Sequence, residues 1–295
     1  MKRLLIAITI IGASIAANAQ LLYKITGPGI TSPSYLIGTH HLAPVSMLDS
    51  IEGFAQALND VEAVYGEVVQ TELTSPEIQQ YTMTLAMAPA DSTLSKVLTP
   101  QQIDSLNVML NKYTMGMANA AAFEPLIPAI VSTQLALMQS MSEFPDFNPM
   151  QQIDIAIQQM AEQQGKTTGG LETAKSQIDK LYGTPIAKQA DDLMQMVRHE
   201  AESAQLSKQL AQAYLNQDLD TLWKLANDPV LAGDEDDMER LIYSRNRQWV
   251  NDMPQLMSER PILFAVGAGH LPSPQGVIAL LRQKGYTVEP VAKKF

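Results

Sequence analysis

The chain has 295 residues, of which 46% are hydrophobic and 17% charged, the balance of a folded chain rather than a disordered one. Its formal charge of −11 argues against nucleic acid or anionic lipid as a partner, because both repel an acidic surface. Cysteine is absent, which excludes a disulfide framework and a lipid-modified cysteine, so the fold must rest on its core.

Met1-Lys2-Arg3, an apolar run from Leu4 to Ala17, and Ala17-Asn18-Ala19 before Gln20 have the order of a secretory signal and its cleavage site. The 14-residue run is shorter than the roughly 20 residues a membrane-spanning helix needs. Residues 1–19 are therefore expected to be removed on export, leaving a single periplasmic or extracellular domain over 20–295. Loss of Lys2 and Arg3 takes the formal charge to −13.

Tyr35-Leu36-Ile37 reads as a short strand broken at Gly38. Met47, Leu48, Ile51, Phe54 and Leu58 follow helical spacing, and Ala63 to Val69 returns to strand character. A helical middle follows, rich in Met, Gln and Ala, with a cap expected over about 75–165. Within it, Thr99-Pro100 opens a helix bearing Ile103, Leu106 and Leu110, and Pro125 to Ser142 is expected to be a helix of the cap rather than a membrane span. Asn148-Pro149 marks a break, and Ile153, Ile157 and Met160 run on to Gly165. The sixteen methionines read as adaptable core, and Asp234 to Asp237 as a solvated helix start.

The C-terminal segment repeats the N-terminal order. Pro261 to Val266 is a buried strand broken at Gly267, Ser273-Pro274 reads as a helix start, Val277 to Leu281 as helix, and Tyr286 to Val291 as the last strand. The expected fold is α/β (α+β): a sheet core of two similar strand, Gly-x-x-His, helix, strand halves from the N- and C-terminal segments, with a central helical cap.

The matching turns Gly38-Thr39-His40-His41 and Gly267-Ala268-Gly269-His270 carry three of the four histidines. Each follows a strand, where α/β sheets place their ligand crevices. The same spacing also suits two structural histidines bonded to loop carbonyls. Glu67 sits in an apolar run, either as a buried carboxylate needing a cation or as an edge-strand residue facing water. Glu172 follows Gly169-Gly170-Leu171 and reads as a site acid or as a helix N-terminal acid; Asp154 reads as an ordinary surface acid. Arg245 occupies an apolar place on a helix with Met238, Leu241, Ile242, Trp249 and Met253, so it pairs with carboxylates or snorkels over Trp249.

Taken together, Leu22-Tyr23-Lys24-Ile25, Ser34 to His41, Gly170-Leu171-Glu172-Thr173, Arg245-Asn246 with Trp249, and Val266 to Leu271 resemble the TraB/GumN family. That family is related to the Tiki proteins, regarded as metal-dependent proteases with two Gly-x-x-His motifs, and more widely to erythromycin esterase-like and ChaN-like haem-binding folds. The resemblance implies His41 and His270 as paired metal-binding histidines, Glu67 and Glu172 as acids, and Arg245-Asn246 as a polar pair in the same cleft; it implies no role for His40. Two imidazoles and a carboxylate such as Glu67 suit a catalytic zinc, manganese or cobalt ion, the remaining acid a general base, and Arg245 or Asn246 an oxyanion partner. The expectation is an exported hydrolase of peptides or small molecules. The alternative is a non-enzymatic binder of a peptide, haem or metal in the same cleft. With no Gly-x-Ser-x-Gly elbow and no His-Glu-x-x-His helix, neither a serine hydrolase nor a zincin is expected.

Overall fold

The computed structural model describes residues 20–148, 151–228 and 234–291. The expected signal segment 1–19, and Pro149 of the expected break, lie outside the described residues.

Six strands form one mixed sheet: β1 Leu22–Thr26, β2 Ser34–Thr39, β3 Ala63–Gly66, β4 Thr167–Gly170, β5 Ile262–Gly267 and β6 Thr287–Pro290. Their order is β4-β3-β5-β2-β1-β6. β4, β3, β5 and β2 run parallel, whereas β1 pairs antiparallel with β2 and with β6. The Val, Ile, Leu and Phe content of β2 and β5 follows from their burial on both faces, as in a parallel sheet covered by helices. Leu36, Ile37, Leu263, Phe264 and Val266 are fully buried, each contributing about 1.5–3 kcal/mol of apolar transfer.

The two halves share their order of elements and diverge at the second strand. β3 pairs parallel with β5, while β6 goes to the far edge beside β1. Neither Gly38 nor Gly267 breaks its strand; β2 continues to Thr39 and β5 ends on Gly267. Neither has positive φ, so their value is space rather than torsional freedom. A Cβ on Gly38 would stand 3.1 Å from the Cα and Cβ of Ala268 and from Leu271, in the turn that carries His270.

Met47, Leu48, Ile51, Phe54 and Leu58 are all buried, but they span two short helices, Met47–Ser50 and Phe54–Asp60, with Ile51 and Gly53, at φ +81°, in the break between them. β3 stops at Gly66, which puts Glu67 just past a strand end rather than inside an edge strand. Thr99 caps the Pro100–Thr114 helix in a reciprocal bond pair with Gln102. Pro128–Met141 is helical, and among the described residues no helix is long and apolar enough to cross a membrane.

The cap has its own core around Leu106, Leu110, Val131, Leu135 and Leu193. It draws on both sides of β4, since Leu193 lies on the Ile186–Arg198 helix, whereas the Ile153–Gln163 helix packs on the sheet through Ile153 and Ile157. Met47, Met109, Met194, Met253 and Met257 are core; Met83, Met87, Met115 and Met117 are exposed, contrary to a purely core reading.

The C-terminal helix is Val277–Gln283, not one begun at Ser273-Pro274. Ser273 takes φ +88°, and Gly276 N–H closes a turn on its carbonyl, so the helix starts one turn later. Asp234 caps Glu235–Met238 as expected, but Asp237 is buried and paired with Lys188 and Arg240 rather than solvated. A π turn at Glu239–Tyr243 precedes the Ser244–Glu259 helix and shifts its register. Leu241 and Ile242 are thereby only half-buried, and the buried face is Arg245, Asn246, Trp249, Val250, Met253 and Met257.

Candidate functional site

All four parallel strands end on the same side of the sheet, and each delivers one polar group there. β2 leads into His41, β3 into Glu67, β4 into Glu172 and β5 into His270. Register makes the convergence direct: Thr39 pairs with Gly267, and Gly66 with both Ala265 and Gly170. This is the crevice at the carboxyl ends of strands where open α/β sheets place ligands.

Arg245 is the hub. Its Nε donates to Glu172 Oε1 at 2.8 Å, and its Nη2 lies 2.5 Å from both Glu67 Oε2 and Glu172 Oε1. Nη1 donates to the Leu241 carbonyl at 2.9 Å and to His270 Nε2 at 3.0 Å. The guanidinium also lies over Trp249, 4.8 Å from the ring centre, so pairing and stacking are both realised. A buried Arg is tolerable here because every nitrogen has an acceptor.

Glu67 receives the Gly267 N–H at 2.8 Å and Gln177 Nε2 at 2.9 Å, besides Arg245. Burial pushes its carboxyl up, but His270, Arg245 and the Gly267 N–H more than offset this and hold it below the ordinary range. Glycine at 267 leaves room for this approach, since a Cβ there would sit 3.3 Å from Glu67 Oε1. The Glu172 side chain is 0% exposed, with its second oxygen on Lys180 at 2.9 Å. It does not line the cleft and reaches it through Arg245 and through Gln177, whose Nε2 lies 3.5 Å from Glu172 Oε1.

His270 rests on Trp249, ring centres 4.5 Å apart. Asn246 Nδ2 donates to the carbonyls of His270 and Gln275, which leaves Asn246 Oδ1 to accept from His270 Nδ1 at 2.7 Å. With Arg245 donating to Nε2, the neutral ring carries its proton on Nδ1. Burial pushes its pKa down to about 4, consistent with a neutral imidazole. Asn246 is fully buried and both its donors are committed, as are those of Arg245, so neither points a free N–H into the cleft for an oxyanion.

His41 is the exposed member, its side chain 66% accessible. Its Nδ1 lies 2.7 Å from Asp154 Oδ2, and the Thr39 hydroxyl donates to the other Asp154 oxygen. The Asp154 charge raises His41 to about 9. Asp154 is thus not an ordinary surface acid: its side chain is only 20% exposed and tied to β2 from the first turn of the Ile153–Gln163 helix. His40 turns away, sandwiched between Phe144 and Tyr214, and burial lowers it to about 4.

His41, Glu67, Asp154, Gln158 and Gln177 line one small cleft of about 70 Å³, with His270 behind Glu67, its Nε2 3.8 Å from Oε1. Gln158 and Gln177 were not singled out from sequence. Gln158 bonds the Val68 carbonyl and the Gln70 N–H, shaping the wall beyond β3. A separate hollow of about 870 Å³, along Val45 to Asn59 with Met160 and Gln164, contains none of the expected site residues.

The donor types present, two imidazoles and a carboxylate, are ones that a divalent cation takes. Each histidine commits Nδ1 to an oxygen acceptor, which in the neutral ring leaves the Nε2 lone pair, and Glu67 lies in the cleft that His41 lines. In this arrangement, however, Arg245 already occupies His270 Nε2, and among the described residues no three His, Asp or Glu side chains are gathered closely enough to hold a metal.

The TraB/PrgY/gumN family model matches residues 21–290. Metalloprotease TIKI1 of Danio rerio is 27% identical over 305 alignment positions, covering 87% of this chain and 60% of that protein. Metalloprotease TIKI2 of Danio rerio is 24% identical over 318 positions, covering 92% and 60% respectively. The chain spans about three fifths of the length of these relatives. No solved structure matches it significantly. With the family model covering nearly the whole chain, the protein belongs to the TraB/PrgY/gumN family.

Proposed function

We propose that the protein is an exported metal-dependent hydrolase acting on peptides, with His41, His270 and Glu67 as its metal ligands. The observation that carries this reading is the convergence of two Nδ1-anchored imidazoles and the Glu67 carboxylate at adjacent strand ends. Similarity to relatives named metalloproteases supports it. A bound divalent ion would supply Lewis acidity and a water acidified toward neutrality.

The chain's own groups do the positioning. Asn246 sets the His270 tautomer, Gln177 and the Gly267 N–H orient Glu67, and Arg245, held by Glu172, keeps Glu67 ionised. Glu172 and Arg245-Asn246 therefore act on catalysis through the residues they hold. A cleft of about 70 Å³ is too small to enclose a porphyrin, which weighs against haem as ligand.

Metal analysis of residues 20–295, alone and as His41→Ala and His270→Ala, tests the assignment. The wild type should retain one divalent ion per chain and both variants should lose it. Equal metal content in all three would remove these histidines from the ligand set. Retained binding without turnover would assign the cleft to a binding protein.

A further inference from the structure

We propose that Asp154, steadied by Thr39, is a positioning residue that fixes the His41 imidazole with its proton on Nδ1 and its Nε2 open to the cleft. This deepens the hydrolase reading and rests on it only for the use to which Nε2 is put.

His41 follows β2 on a turn and is largely exposed, so nothing packs its ring into one rotamer. An exposed imidazole loses orientation unless a polar partner supplies it, and ordering such a side chain is unfavourable on its own. Asp154 is the partner the structure provides. Its Oδ2 meets His41 Nδ1 at 2.7 Å, a short charge-assisted distance.

Ionised, a carboxylate only accepts, so the proton of that contact belongs to Nδ1, and in the neutral ring the lone pair is left on Nε2. The second carboxylate oxygen is held by the hydroxyl of Thr39, itself 1% exposed at the last position of β2. Asp154 is thereby clamped between a buried strand end and the imidazole. It belongs to a different element, the Ile153–Gln163 helix, whose Ile153 and Ile157 are buried against the sheet. The packed helix, rather than the exposed turn, thus sets the direction of the His41 ring. On the other side of Glu67, Asn246 does the same for His270, so both imidazoles are oriented through Nδ1 by an oxygen acceptor from a helix.

The test is the ring tautomer, read by long-range ¹H–¹⁵N correlation on the metal-free protein at about pH 10.5, above the value near 9 to which Asp154 raises His41. Wild type should show His41 protonated on Nδ1. Asp154→Asn, whose amide oxygen still accepts, should keep that tautomer, and Asp154→Ala should shift the ring toward Nε2–H. An Nε2–H ring in wild type, or an Asp154→Ala spectrum like wild type, overturns the proposal. In parallel, Co²⁺ titration should show about 10- to 100-fold weaker binding for Asp154→Ala, with Asp154→Asn between it and wild type. If His41→Ala abolishes Co²⁺ binding while Asp154→Ala leaves it unchanged, the positioning role is wrong. If His41→Ala leaves Co²⁺ binding intact, the metal assignment falls, and the tautomer measurement still decides the role of Asp154.

Discussion

Replacing Arg245 by Met keeps much of the side-chain volume and removes the charge at the centre of the site. The guanidinium, 7% exposed, holds Glu67 at 12% exposure and Glu172 at 0%. Breaking a buried ion pair from one side typically costs about 3 to 5 kcal/mol. Glu67 keeps the Gly267 N–H and Gln177, and Glu172 keeps Lys180, so the lower end applies, about 3 kcal/mol. For a domain of this size that is a fall in melting temperature of roughly 6 to 12 °C.

The sign of the pH dependence follows. In wild type the folded Glu67 pKa is depressed, so its contribution is fully present above the unfolded value and is lost as pH falls through the folded one. Without Arg245, burial raises that pKa, and the resulting penalty is relieved on acidification. Between pH 8 and pH 5 the wild-type contribution stays fully present, so it is the relief of the variant's penalty that narrows the gap as pH falls. Calorimetric melts at pH 8 and pH 5 measure it. A gap under about 2 °C at pH 8, or one that widens at pH 5, would refute the reasoning.

Other perturbations act on the frame. Gly38→Ala should cost about 1 to 3 kcal/mol and impair activity, because the new methyl meets the Ala268 backbone beside the His270 turn; unchanged urea midpoint and turnover would contradict this. Lys166 donates to the carbonyls of Leu58, Asn59 and Val61 where the Phe54–Asp60 helix ends, so Lys166→Met should lower the urea unfolding free energy by about 1 to 3 kcal/mol without altering metal content. Asp237 is pushed up by burial, yet the bonds from Lys188 and Arg240 outweigh this and depress it. Its contribution is present above its unfolded value and lost as pH falls through its folded value, so Asp237→Asn should flatten the acid limb of stability between about pH 5 and 2. A limb as steep as wild type would count against the pairing.

Much of this site is legible because its signals are local. β2 and β5 read as buried runs, their following turns place His41 and His270, and Arg245 shows as a charge in an apolar stripe. β4 escaped because Thr167-Thr168-Gly169-Gly170 has little strand character; Gly169 is there because a Cβ would collide with the Tyr65 ring at 2.4 Å. Asp154 was invisible because its partners lie 113 and 115 residues away, and no spacing rule links them. The π turn hid the true register of the Arg245 helix, so Leu241 and Ile242 looked more buried than they are. Gln177 and Gln158 carry no charge and sit at ordinary helical positions, so only the fold reveals what they touch.

Cleavage of a mixed peptide library by chelator-treated protein, before and after Mn²⁺ or Co²⁺ is restored, tests the central claim most directly. Chelation should abolish cleavage, metal should restore it in wild type, and neither His41→Ala nor His270→Ala should recover. Cleavage indifferent to chelation, or retained by either histidine variant, would contradict it.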